Sequence, residues 1–231
     1  MRKSFSHLAT RVKKRSDPDD LHDLRVLTRR MRAVVWLSRH ATSGPRLKKL
    51  RGVLSELGHA LGERRTQDVL ERDAAHYGLE IKARPRSKAI KVLKSKNLET
   101  VEQMMVDAES ELQRLQTKGL RPAVAELIVR LELLQRSLPK SDQEWHRLRI
   151  EVKKIRYASE LLGLDTSEIK KLQDLLGKGH DLGVLMDESG HQPRIAADIR
   201  KCWTRAKKLV PLALGRTRTR LLNWRDTESA H

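Results

Sequence analysis

Apolar residues recur along this chain at intervals of three and four, the period of a helix that buries one side. Leu24, Met31 and Val35 follow that spacing in the first part of the chain, and Leu148, Val152, Ile155 and Leu162 follow it in the second. Alternating β-branched runs are absent, so the pattern predicts an all-α protein. Breakers divide the helices. Ser16-Asp17-Pro18 reads as a cap with proline in the first turn, followed by Asp19 and Asp20 at the positive helix end. Ser43-Gly44-Pro45 closes that helix and opens the next, and Gly78 to Pro85 reads as a loop. A long polar helix is expected over roughly 87–116. Lys118-Gly119 and Pro122 mark the middle of the chain, and Leu138-Pro139-Lys140 ends another helix. Ser141 to Glu144 is a capping-box pattern, Gly190 to Pro193 precedes a C-terminal helix, and the tail after Trp224 is expected to fray.

Two stretches of this pattern are written twice. LHDLRVLTRRMR at 21–32 and WHRLRIEVKKIR at 145–156 share histidine, leucine and arginine at matching places, then a basic residue four further on and an arginine three beyond that. LGERRTQDVL at 61–70 and LGKGHDLGVL at 176–185 align as well, at a slightly shorter offset. The order motif, helix, LG turn therefore occurs in each half. This predicts one domain over 1–231 built from half-repeats 1–119 and 120–225, packed about a pseudo-two-fold axis.

Wound as a helix, the second copy places His146, Arg149, Lys153 and Arg156 within about 80° of arc, beside the apolar stripe. His22, Arg25, Arg29 and Arg32 do the same in the first copy. A solvated helix face with snorkelling cations is the bland alternative. Such a face would intersperse acids for i,i+4 pairing, and none lies between these cations on the same arc. Arginine's planar fork suits phosphate, lysine adds point charge, and a histidine close to phosphates favours its charged form.

Composition sharpens this. Lys and Arg total 49 against 30 acids, a formal charge of +19, which calls for an anionic partner. Aromatic residues are 3% of the chain, too few for a platform that stacks single-stranded bases. No apolar run approaches the ~20 residues of a membrane span, and the N-terminal stretch has no secretory apolar region. Cys202 is the single cysteine, which fits a reducing cytoplasm. There is no HExxH, paired-cysteine or P-loop pattern, so neither catalysis, a metal nor a cofactor is expected. His22, His146 and His180 could meet as a metal site, but the surrounding cations oppose it. Nucleic-acid backbone binding, weak and sequence-independent, and a passive helical adaptor remain as alternatives.

On these residues the sequence resembles the CHAD family, the conserved histidine α-helical domain. LHDLRVLTRRMRAVVWL is similar to its first histidine motif, and WHRLRIEVKKIRYASELL with LQDLLGKGHDLGVL to its second. The resemblance implies two four-helix bundles related by a pseudo-two-fold, with inorganic polyphosphate held in a basic channel between the halves. It assigns the phosphate-facing set to His22, Arg25, Arg29, Arg32, His146, Arg149, Lys153 and Arg156. His180 matches a further histidine of the family, and Arg65 holds the equivalent place in the first half. Lys48, Lys49, Lys170 and Lys171 lie on the intervening helices. The family's turn usually reads basic-Asp-x-Asp-Val, and each half here lacks one of those acids. A granule-bound location follows from the resemblance alone.

Overall fold

The computed structural model describes residues 2–15, 17–39, 44–81, 87–96, 98–115 and 117–227, with side chains at all of these except 2–4, 15, 18, 63–65, 87–89, 117–118 and 227. The protein is all-α. Its helices are α1 (Arg2–Arg15), α2 (Pro18–Ser38), α3 (Pro45–His76), α4 (Ser87–Ser95), α5 (Leu98–Arg114), α6 (Thr117–Gln135), α7 (Asp142–Leu161), α8 (Ser167–Ser189) and α9 (Pro193–Thr227).

The two motif helices begin where their caps place them. Asp17 caps α2 and accepts from the backbone N–H of Asp19 at 2.8 Å and of Asp20 at 3.3 Å. Pro18 at the first helical position forgoes an N–H that would have no partner there. Ser141 caps α7 with both halves of a capping box. Its hydroxyl accepts from the Glu144 N–H at 3.3 Å, and its own N–H donates to Glu144 Oε2 at 3.2 Å.

Three expectations change. The LG segments are not turns: α3 and α8 run unbroken through Leu61-Gly62 and Leu176-Gly177. Close packing accounts for Gly58 of α3 and Gly179 of α8, described below, whereas a Cβ on Gly177 would meet nothing within 4 Å. The polar helix expected over 87–116 is two helices, α4 and α5, with a bend at Lys96. The Lys96 N–H turns back to the Leu93 carbonyl, and its ammonium pairs with Glu56 on α3 at 2.5 Å. Neither proline nor glycine marks that break in the sequence. Finally, α6 starts at Thr117 and carries Gly119 and Pro122 within its first turns, and α9 continues past Trp224 to Thr227. The Ser43 and Gly78–Pro85 expectations fall partly outside the described residues, at 43 and 82–85.

The chain forms two compact units, Met1–Glu71 with Lys82–Leu120, and Arg72–Ile81 with Arg121–His231. In the first, α1 and α5 pack on α2 and on each other. Phe5, Val12, Leu24, Met31, Leu37 and Val101 are buried, and Leu50, Leu54, Leu57 and Leu61 form the buried stripe of α3. In the second, α8 packs against α7 and α9. Its core holds Leu127 and Leu131 of α6, Leu148, Val152 and Ile155 of α7, Leu172, Leu176 and Leu185 of α8, and Val210, Leu214 and Leu221 of α9. Tyr77 ties the 72–81 segment into this unit, its hydroxyl donating to Asp198 at 2.8 Å.

Ser141→Ala leaves the first-turn N–H of Glu144 without its acceptor. The expected loss is about 1 kcal/mol, read as a lower urea midpoint with unchanged helical content in the folded baseline.

Candidate anion-binding ridges

In the second unit the ridge is built on a core contact. Trp145 of α7 and Trp203 of α9 stack with ring centroids 4.8 Å apart and planes 4° from parallel. α8 meets the same indole at Gly179, where a Cβ would lie 2.6 Å from the Trp203 ring. No side chain fits there, which explains the glycine inside an unbroken helix. This contact fixes the residues that follow each partner. His146 comes after Trp145 and His180 after Gly179, and their rings lie 5.1 Å apart.

Arg149 and Lys153 flank that pair. Burial and these two cations push the His146 imidazole below its ordinary pKa. His180, half-buried, is pushed further, to about 4, by burial and then by Arg149, His146 and Lys153. Both rings are therefore neutral near pH 7, and each nitrogen not donating is open to a proton. The far flank of α7 is charge-balanced instead. Glu151 accepts from Arg130 at 2.6 Å and from Lys154 at 2.5 Å, and Arg130 also pairs with Glu126.

An acid just beyond the motif bears on this ridge. Glu160 lies on the same arc as the cations, and Arg156 binds it through Nε at 2.9 Å and Nη2 at 2.6 Å. The remaining nitrogen of the fork donates to Gln173 of α8 at 3.1 Å, and the guanidinium lies 4.7 Å from the Tyr157 ring centroid. Arg156 thus fastens α7 to α8, while His146, Arg149, Lys153 and His180 lie grouped together further along the ridge.

In the first unit, α2 lays its arginines over glycines of α3. A Cβ on Gly58 would lie 3.0 Å from Arg32 Nη1, and one on Gly62 would lie 3.8 Å from Arg25 Nη1. Arg25 also donates to the Leu61 carbonyl. Arg29 lies close enough to Arg32 to depress its pKa, after burial has done so. The first copy of the repeat thus places Arg32 against Gly58 where the second places Arg156 against Gln173. His22 is exposed at the start of the ridge. Arg65 lies in α3, but its side chain is outside the described residues. Lys48, Lys49, Lys170 and Lys171 are exposed. Lys49 and Lys171 project about 180° round their helices from Gly58 and His180, away from the ridge side.

The pattern of hydrophobic positions did not reveal Gly58, Gly62, Gly179 or Gln173 as ridge-supporting residues. Glycines in α3 four apart and a glycine beside a histidine are signals that fit a helix packed closely on arginine or indole. Among the described residues, no group of three His, Cys, Asp or Glu side chains is placed to hold a metal.

Gly179→Ala forces the new methyl into the indole of Trp203. Overpacking of this kind is expected to cost about 1–3 kcal/mol and to disturb the Trp145–Trp203 stack, seen as a lower melting temperature together with a changed near-UV tryptophan CD signal.

Neither the curated proteins nor the solved structures include a match to this chain. The family model of the CHAD domain matches residues 1–189, a span that contains both histidine motifs and both ridges. By that match the chain belongs to the CHAD domain family.

Proposed function

We propose that this protein binds inorganic polyphosphate through the two basic ridges, without transforming it. CHAD domains are associated with polyphosphate binding and metabolism. The observation that carries the reading for this chain is the His146–His180 pair flanked by Arg149 and Lys153. Burial together with Arg149 and Lys153 depresses the protonation of both histidines in the empty protein. A closely spaced row of phosphates reverses that cost, because each negative group stabilises the charged form of every neighbour. Arg25 and Arg29 hold the corresponding positions in the first unit, with Arg32 beside Arg29. No helix among the described residues is long and apolar enough to cross a membrane.

The reading belongs to phosphate rather than to carboxylate ligands by donor type. Arginine forks bind phosphate oxygens in pairs, and imidazolium adds a donor whose charge tracks the anion. The family association with polyphosphate favours a binding role over a catalytic one.

Arg149→Gln and Arg29→Gln each remove one charge-assisted contact, worth roughly 1.5–3 kcal/mol, so polyphosphate affinity should fall about ten- to hundredfold in each. Calorimetric titration with long-chain polyphosphate checks this. Unchanged affinity in both single variants overturns the reading. The parent protein should also melt higher with long-chain polyphosphate than with the same phosphate concentration as orthophosphate, since binding stabilises by mass action.

Proton linkage gives a second check with a defined sign. His180 has a folded-state pKa of about 4, below its ordinary 6.5. Its neutral form contributes stability that is complete above pH 6.5 and is lost as pH falls toward about 4. A bound polyanion raises the same pKa, so the complex takes up protons in that window. The melting temperature without ligand should therefore fall with decreasing pH while the increment due to polyphosphate grows. His180→Gln should flatten both trends, as measured by thermal denaturation across the window.

A further inference from the structure

A second cationic surface lies on α9, outside the residues 1–189 covered by the family match. No acid occurs between Asp198 and Asp226. Arg216, Arg218 and Arg220 in this stretch are held by Glu168, Glu132 and Asp165. Arg200, Arg205, Lys207 and Lys208 are exposed and form no ion pair among the described residues. Lys201 reaches Asp198 at 3.0 Å with 72% of its side chain accessible. Lys178 of α8, also exposed, lies near enough to act on the charge of both Asp198 and Cys202. On α9, Lys201, Arg205 and Lys208 project roughly opposite Trp203, Ala206 and Val210, which form its packed side, while Arg200 and Lys207 extend the charge round the flank nearer Trp203; together they span about 12 Å of helix.

The chemistry of this face narrows its partner. Like charges at such spacing repel unless an anion lies across them. The cations are not interleaved with an apolar row, as an interfacial membrane helix would require; Leu212, beyond them, is the one exposed large aliphatic residue of α9. Trp203 is stacked inward on Trp145, so no ring is offered to single-stranded bases. A convex helix face gives a thin, flexible anion no enclosure to offset the freedom it loses on binding. A duplex offers phosphates already fixed in place, one charge per about 1.7 Å of axis. We infer that the outer face of α9 binds the phosphate backbone of duplex nucleic acid, independently of base sequence. This inference does not rest on the polyphosphate reading of the ridges.

The test uses the full chain and a labelled duplex DNA of mixed sequence, with affinity followed by fluorescence anisotropy over a salt series. The combined variant Arg200→Gln, Arg205→Gln, Lys208→Gln removes exposed charges only. It should weaken duplex binding at least about tenfold and reduce the log–log salt slope by about 2–3, while polyphosphate affinity stays at the parent value. Arg149→Gln should do the reverse, lowering polyphosphate affinity and sparing duplex binding. Should the combined variant fail to fold by circular dichroism, Arg205→Gln and Lys208→Gln are measured singly, each expected to lower the salt slope by about 1. The inference is overturned if charge removal on α9 leaves duplex affinity and slope unchanged. It is overturned equally if polyphosphate affinity falls in step with duplex affinity, or if vesicles of phosphatidylglycerol are bound through these residues and the duplex is not.

Discussion

The second unit depends on one contact between two indoles and a residue with no side chain. Trp145 and Trp203 lie flat on each other, and Gly179 lets α8 approach the same ring closely enough that any β-carbon would collide with it. Three helices are brought into register at a single point. The residue after Trp145 and the residue after Gly179 are both histidines, so a core packing decision becomes a surface property: two imidazoles 5.1 Å apart beside two cations. Tight packing of this kind transmits position with little slack, which is why an apolar contact can set the geometry of a charged ridge.

Charge on α7 is sorted by side rather than spread evenly. Glu151 neutralises Arg130 and Lys154 on one flank. Glu160 and Gln173 occupy all of the Arg156 fork at the C-terminal end of the other. What remains concentrated is the segment from His146 to Lys153, where burial and mutual repulsion depress the histidines. In the first unit a different device serves the same end. Small residues on α3 leave room for Arg25 and Arg32 to lie along the helix, with Arg25 anchored on the Leu61 carbonyl. The equivalent arginines Arg32 and Arg156 thus lie against a glycine in one copy and on a carboxylate and an amide in the other.

Much of this was legible in the sequence where local chemistry decides the outcome. The capping box at Ser141 and the Asp17 cap appear as written, because each is a bond between residues two or three apart. The buried stripe of α7 follows its periodicity, with Val152 and Ile155 wholly enclosed. The misreadings share a cause. Gly62 and Gly177 resemble turn residues in isolation, and only a partner from another helix explains a glycine such as Gly179 inside α8; tertiary contact outweighs local propensity. Glu160 escaped notice because it lies one turn beyond the motif, although its arc places it on the ridge. The bend at Lys96 carries no local signature, since its visible anchor is Glu56 on a different helix.

The carboxylate at Glu160 also gives the ridge a beginning and an end. On the proposed reading, an anion lying along α7 would follow His146 to Lys153, about 10 Å of helix, and then reach a carboxylate already engaged with Arg156. On that reading the protein's own charge order, rather than the size of the anion, would set the length of the contact. A longer anion must leave the helix axis at that point and continue elsewhere.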